Sequence, residues 1–207
     1  EGNKKPIQPT PVIGMVGVLD NVKQAVSSGW KNINDEIWII GSRDSGLTLG
    51  ATSYLEYFHG QITGRPPSLN LIDEKLCQLF IRNGILNNLI ISSHDISDGG
   101  LAIALAEACI LSDKGASINL IADKRIDSLL FSEGGSRIIF SISHMKKNEW
   151  LKFVSEESKN FTDSIYVTKI GTVLQDTLKI KISDNIICDL KISTLADKFN
   201  NGLSNNF

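Results

Sequence analysis

The stretch Ser92–Glu107, SSHDISDGGLAIALAE, gathers the residue types best suited to chemistry. His94, Asp95, Ser97 and Asp98 stand just ahead of Gly99–Gly100, and an Ala/Leu-rich segment follows. The pattern reads as a strand, a polar turn and the start of a helix. Unpaired N–H groups at such a start attract anions, aided by the helix dipole. Two readings follow. In one, the loop holds a phosphate, with Mg²⁺ ligated by Asp95 or Asp98. In the other, the Asp98 carboxylate caps the helix and His94 is a structural histidine. A Gly-Gly turn alone does not separate them.

A second segment, Leu129–Arg137 (LLFSEGGSR), ends an apolar stretch in Glu133, a flexible Gly134–Gly135 pair and Arg137. Glu133 and Arg137 could position a polar ligand. They could also pair with each other across the turn, the reading the residues favour. No GxxxxGK[ST] phosphate loop and no HExxH or other compact metal-ligand cluster occurs. His59 reads as a helix C-terminal residue and His144 as a solvent-facing loop residue. Arg65 could bind an anion but reads rather as surface, and Lys146–Lys147 is too short a basic run to indicate nucleic-acid binding.

The elements that must position these residues alternate between strand and helix. Pro6, Pro9 and Pro11 keep the start extended. Val12–Leu19 is a short apolar run whose Gly14 and Gly17 imply close backbone packing or a bulge. Asp20 is expected to cap a turn over Asn21–Val26. Glu36–Gly41 is apolar throughout and reads as a buried strand. Ser53–Phe58 gives one or two helical turns. Leu69, Ile72, Leu76, Leu79 and Phe80 recur at helical spacing and predict an amphipathic helix ending near Gly84.

Leu89–Ser93 is a strand. Leu101–Leu111 is a buried helix, with Ala102 and Ala106 allowing close approach to a sheet. Ala116–Ile121, Ser136–Ser143, Ser164–Gly171, Thr177–Ile182 and Asn185–Ile192 read as strands. The last two form a hairpin with its turn at Asp184–Asn185. Lys146–Lys159 is a helix with Trp150, Phe153 and Val154 inward, and Leu195–Asn200 closes the chain as a short helix. The fold class is therefore mixed α/β, a mixed β-sheet covered by helices.

Composition narrows the function. Hydrophobic residues make up 42% and charged residues 21% of the 207, as in ordinary globular chains, and a net charge of −2 argues against a basic nucleic-acid grip. Cys77, Cys109 and Cys188 are widely spaced and read as reduced, buried thiols. No apolar run is long enough to span a membrane, so the expected location is cytoplasmic. The opening EGNKKPIQPTP, without Met, is expected of a fragment of a longer chain.

Taken in order, PTPVIGMVGVLDNV, LGATSYLEYFHGQITGRPPSLNL, SSHDISDGGLAIALAEA, LLFSEGGSRIIFSIS and IGTV resemble the C-terminal part of the phosphoribosylformylglycinamidine synthase family, large (synthetase) subunit. The resemblance implies an aminoimidazole ribonucleotide synthetase-like C-terminal domain (PurM C-terminal-domain-like). It also implies a part in an ATP- and Mg²⁺-dependent ligase of purine biosynthesis. That enzyme converts formylglycinamide ribonucleotide and glutamine-derived ammonia to the formylglycinamidine.

The expected partners are the rest of the synthetase chain, a glutaminase subunit and a small third subunit. Residues 1–28 would be the tail of a preceding ATP-binding-type domain, and 29–207 the C-terminal domain. Catalytic residues would lie upstream, so none is assigned here. His94, Asp95, Asp98, Gly99, Gly100 and Glu133 become candidates for an auxiliary nucleotide or phosphate site, with ADP as its ligand. The family's usual LFGES has Ser132 for its Gly, and Gly134 for the Ser after Glu133, in keeping with a copy relieved of substrate contact. The alternatives are a stand-alone ADP- or phosphate-binding module, or an enzyme of a sister family such as aminoimidazole ribonucleotide synthetase or selenophosphate synthetase.

Overall fold

Strand β1 (Glu36–Ser42) is buried at every residue. Its side chains alternate between two hydrophobic cores, Ile37 and Ile39 entering one and Trp38 and Ile40 the other. A strand covered on both faces has no polar side to show, which is why EIWIIG lacks alternation. The structure, a computed structural model, describes residues 10–43, 47–122 and 125–202.

Helices α1 (Ser53–His59) and α2 (Leu71–Leu86) follow β1, then strand β2 (Ile90–Asp95) and helix α3 (Gly100–Ser112). Strand β3 (Gly115–Leu120), helix α4 (Ile126–Phe131), strand β4 (Arg137–Ile142) and helix α5 (Lys147–Glu157) come next. Strands β5 (Ile165–Leu174), β6 (Thr177–Ile182) and β7 (Asn185–Lys191) lead to helix α6 (Ile192–Asn201). The seven strands form one sheet in the order β2-β4-β1-β5-β3-β6-β7. Only β3–β6 is parallel, and the other neighbours are antiparallel. The mixed sheet covered by helices is thus as expected.

Helices α3, α4 and α6 supply Leu101, Leu105, Leu130 and Ile192 to one core. Helices α2 and α5 supply Phe80, Ile81, Trp150 and Phe153 to the other. Trp150 is fully buried with an unpartnered Nε1. Its ring centroid lies 5.3–5.7 Å from those of Trp38, Phe80, Phe140 and Phe153. Burial of so large a ring and its aromatic contacts offset the roughly 1–3 kcal/mol cost of the stranded N–H.

Several expectations are corrected. Gly14 and Gly17 make no close packing, and Val12, Met15 and Val16 are almost fully exposed. Asn21, not Asp20, caps the single helical turn over Val22–Gln24. Strand β2 runs on to include His94 and Asp95. Ala104 and Ala108, not Ala102 and Ala106, are the fully buried alanines of α3. Helix α4 is too short to show a period and was not expected. The β6–β7 turn is centred on Ser183–Asp184, both with positive φ (46° and 69°), one residue earlier than read. Such a two-residue turn matches the right-handed twist of a hairpin.

The largest correction concerns α2. Ile72 and Leu79 are exposed, and the buried face is Asp73, Cys77, Phe80, Ile81 and Gly84. Asp73 goes inward because three hydroxyls meet it. Ser42 and Ser164 donate to Oδ2 at 2.5 Å each, and Thr162 donates to Oδ1 at 2.7 Å. Burial pushes this carboxyl's pKa up, but the three hydrogen bonds more than offset that and hold it below the ordinary value. The network fastens α2 to the end of β1 and the start of β5. The three cysteines are unpaired thiols, and burial pushes Cys77 and Cys109 each up to about 12. Cys188 is only half-buried.

Asp73→Ala removes the carboxylate that accepts from three hydroxyls and should lower the unfolding free energy by about 2–4 kcal/mol in urea at neutral pH. Folding lowers the pKa of Asp73, so its contribution is full above the ordinary carboxylate value of about 4 and is lost as pH falls through the folded value. The gap between wild type and variant should therefore close on acidification. A gap constant from about pH 6 to pH 3 would assign the stabilisation elsewhere.

Candidate functional site

The C-terminal ends of β1 and β2 and the start of β4 meet at one end of the sheet, where Gly41 opposes Arg137 and Asp95 opposes Ile138. The two segments singled out by sequence converge there. Glu133 Oε1 accepts the N–H of Gly99 at 2.8 Å and that of Ser53 at 2.9 Å. One carboxylate oxygen thus joins the loop after α4 to the starts of both α1 and α3.

Gly99 is the N-cap of α3, left-handed at φ 77°, and no side chain caps that helix. Asp98 is exposed and makes no capping bond, so the capping reading is corrected: Gly99 occupies the cap and Glu133 takes its N–H. Gly100 also has positive φ, and a Cβ there would lie 2.7 Å from Leu130 O, Phe131 C and Ser132 O. The glycine pair lets two backbones touch.

His94 is turned toward α3. Its Nδ1 donates to the Asp95 carbonyl at 2.7 Å, since a carbonyl can only accept, and Nε2 lies 3.3 Å from Glu107 Oε2. The side chain is largely buried and does not line the adjacent cleft. That cleft, about 480 Å³, is lined by Glu74, Asp95, Asp98, Glu133 and Arg137 among others. Of the six candidates, Asp95, Asp98 and Glu133 are brought together on it. Gly99 and Gly100 follow Asp98 in the chain without lining it, and His94 stands apart.

Four carboxylates against one guanidinium repel a bare phosphate. The donor set suits a phosphate that arrives with a hard divalent cation, for which exposed Asp95 and Asp98 offer oxygens. Among the described residues, no group of three or more His, Cys, Asp or Glu is arranged to hold a metal by itself.

Glu133 and Arg137 do not pair. Glu133 is spent on backbone N–H groups, while Arg137 donates from Nη2 to the Ser132 carbonyl and from Nε to that of Gly134 at 3.3 Å. Arg137 is 3% exposed, and burial pulls its pKa down. Sequence reasoning missed that Ser132 Oγ is buried without a partner. The only signal was that Ser132 stands where the resembled family has Gly. It also missed the three hydroxyls around Asp73, which lie far from it in sequence. His59 sits at the end of α1, where left-handed Gly60 is the C-cap, and His144 is half exposed, with Nδ1 3.9 Å from Asp35 Oδ1.

A mixed, helix-covered sheet with a Gly-Gly turn locked to a glutamate defines a class, and comparison with known proteins specifies it. Residues 32–178 match the family described as "AIR synthase related protein, C-terminal domain", and the chain belongs to that family. The phosphoribosylformylglycinamidine synthase subunit PurL of Prochlorococcus marinus strain AS9601 is 63% identical over 203 residues. The match takes in 98% of this chain and 26% of that protein. The PurL of strain MIT 9313 is 39% identical over 208 residues, covering 96% of this chain and 26% of the relative. The chain therefore spans about a quarter of the length of these curated relatives.

The likeness to the synthetase subunit expected from the motifs is borne out. T. maritima PurL complexed with FGAR shares the fold, with a TM-score of 0.66 and 17% identity over 84% of this chain and 30% of that one. E. coli HypE, a hydrogenase maturation protein, shares it at a TM-score of 0.54 and 13% identity, over 81% and 52%. No helix among the described residues is long and apolar enough to cross a membrane.

Two substitutions should move stability in opposite directions. Glu133→Ala frees two N–H groups and should cost about 2 kcal/mol, with faster amide exchange at Ser53 and Gly99. Ser132→Ala removes an unpartnered buried hydroxyl and should gain about 1 kcal/mol. Stability unchanged in both variants would refute the assigned roles.

Proposed function

We propose that this chain is the C-terminal domain of the synthetase subunit of phosphoribosylformylglycinamidine synthase, and that its work there is mainly architectural. The carrying observation is 63% identity across nearly the whole chain to a quarter of a relative of that name. In this reading the parent enzyme is a cytoplasmic ligase. It joins glutamine-derived ammonia to formylglycinamide ribonucleotide at the expense of ATP, and its reacting groups lie outside this chain. The use of Glu133 to hold two helix starts, where a substrate contact would need it free, supports the architectural role.

Residues 1–28 are assigned to the preceding ATP-binding-type domain and 29–207 to the C-terminal domain. The exposure of Val12 and Val16 against the burial of Trp30 supports that boundary. The partners are the rest of the synthetase chain, a glutaminase and a small third subunit. One fold relative is described as part of "PurLQS from Thermotoga maritima", which favours such an assembly.

The acidic cleft is proposed as an auxiliary nucleotide site of ADP type. Asp95 and Asp98 would hold Mg²⁺, while His94, Gly99, Gly100 and Glu133 fix the loop that carries them. When bound, Mg²⁺ would neutralise phosphate charge that the cleft otherwise repels. This accords with fold relatives described as "complexed with ATP" and "complexed with ADP".

Supplied with formylglycinamide ribonucleotide, Mg-ATP and ammonia, the purified chain should show no turnover, and appreciable turnover would refute the architectural reading. Calorimetry should detect ADP only with Mg²⁺ present, and Asp95→Asn or Asp98→Asn should weaken it about tenfold. Absence of heat at millimolar Mg-ADP would remove the auxiliary site.

A further inference from the structure

A second cleft, about 730 Å³, shares only Arg137 with the acidic one. Its described lining contains no carboxylate and three cationic residues, Arg43, Arg137 and Lys169. Lys169 already meets Glu36, with Nζ 2.7 Å from Oε1. Among the described residues the two arginines have no carboxylate partner. Arg137 is buried, and among the described residues its guanidinium has only the carbonyls of Ser132 and Gly134 as acceptors. Buried charges are ordinarily paired, because desolvating a lone one costs several kcal/mol. Backbone carbonyls lower that cost without neutralising the charge.

The cleft is built around this pair. Gly41 of β1 lies opposite Arg137 on β4 and opposite Tyr166 on β5. Arg137 shares a face of β4 with the core residue Ile139, and Tyr166 packs on that same core. Gly41 leaves the space between them open, and a Cβ there would lie 2.7 Å from the Tyr166 phenol oxygen. Tyr166 fills that gap, and the Arg43 guanidinium stands 6.0 Å over its ring centroid. Arg43, Tyr166 and Arg137 thus line one cleft, Arg43 exposed and Arg137 buried, with Ile39, Leu101 and Leu129 among its walls.

We infer that this cleft binds a small ligand with an oxyanion head, phosphate or carboxylate, held between Arg137 and Arg43, with the apolar walls receiving the rest. The planar guanidinium fork matches both kinds of head. The acidic cleft on the far side of Arg137 repels a free anion of this kind, so the two sites take different ligands, one an anion without a metal and the other a phosphate that brings its cation.

The test uses the whole chain and two anions, inorganic phosphate and acetate, against chloride at the same ionic strength. Phosphate or acetate should raise the melting temperature by about 3–5 °C at tenfold excess over its Kd. The same titration should shift the Nε–Hε signals of Arg43 and Arg137 in ¹⁵N spectra. Whichever anion acts at lower concentration names the head group. Arg43→Gln, an exposed position outside both cores, should retain the fold and weaken binding about tenfold. Arg137→Met should abolish the response, and if that variant fails to fold, Arg43→Gln decides. Equal effects of chloride, phosphate and acetate, or undiminished binding by Arg43→Gln, would overturn the inference. Loss of Mg-ADP binding at Asp95 and Asp98 would leave it standing, since those residues do not line this cleft.

Discussion

One carboxylate oxygen governs the architecture at the end of the sheet where β1, β2 and β4 meet. Glu133 Oε1 takes the first N–H of α1 and the cap N–H of α3, elements far apart in sequence. A charge-assisted hydrogen bond to a helix start is worth more than a neutral one. Here a single group makes two of them, so the loop after α4, the Gly-Gly turn and α1 share one position. Gly100 makes that possible by admitting the backbone of Leu130–Ser132 where a side chain would stand. The glycine turn and the glutamate loop are two halves of one contact.

The same end of the sheet carries two clefts of opposite character separated by Arg137. Carboxylates crowd one, and among the described residues the other holds two arginines without carboxylate partners. Alternation along β4 explains the division, since Arg137 follows the face of Ile139 while Ile138 belongs to the opposite core. Asp73 is the complementary case, a buried anion satisfied by hydroxyls instead of by a cation. Buried charges are thus accommodated on both faces of this end of the sheet without a direct ion pair between them.

Much of the fold was legible because it depends on local pattern. The unbroken apolar run of β1, the alternation of β6, the β6–β7 hairpin and the Ala/Leu helix all stand where read, within a few residues. What sequence could not show depends on distant partners. Nothing near Asp73 announces that Ser42, Thr162 and Ser164 will surround it, so the apolar spacing of Leu69, Ile72, Leu76, Leu79 and Phe80 found only part of the buried face of α2. Phe80 is buried and Leu76 packs against the core, while Leu69, Ile72 and Leu79 are exposed. The same holds at the site. The Gly-Gly turn and its neighbours were found, but their use was not. Asp98 looked like a cap and Glu133 like a partner for Arg137, until Glu133 reached Gly99 across the chain. The arginine cleft escaped notice because Arg43, Arg137 and Tyr166 come from three separate strand ends.

Strand order also shapes how this molecule must be made. Only β6 and β7 are neighbours both in sequence and in the sheet. Strand β1 ends at Ser42, yet its two neighbours begin at Arg137 and Ile165. A nascent chain therefore carries β1, buried along its whole length in the folded sheet, unpaired until Arg137 and the strand it opens have been made. Assembly of such a sheet is governed by slow, long-range loop closure. Through that interval β1 is the part most in need of chaperone protection.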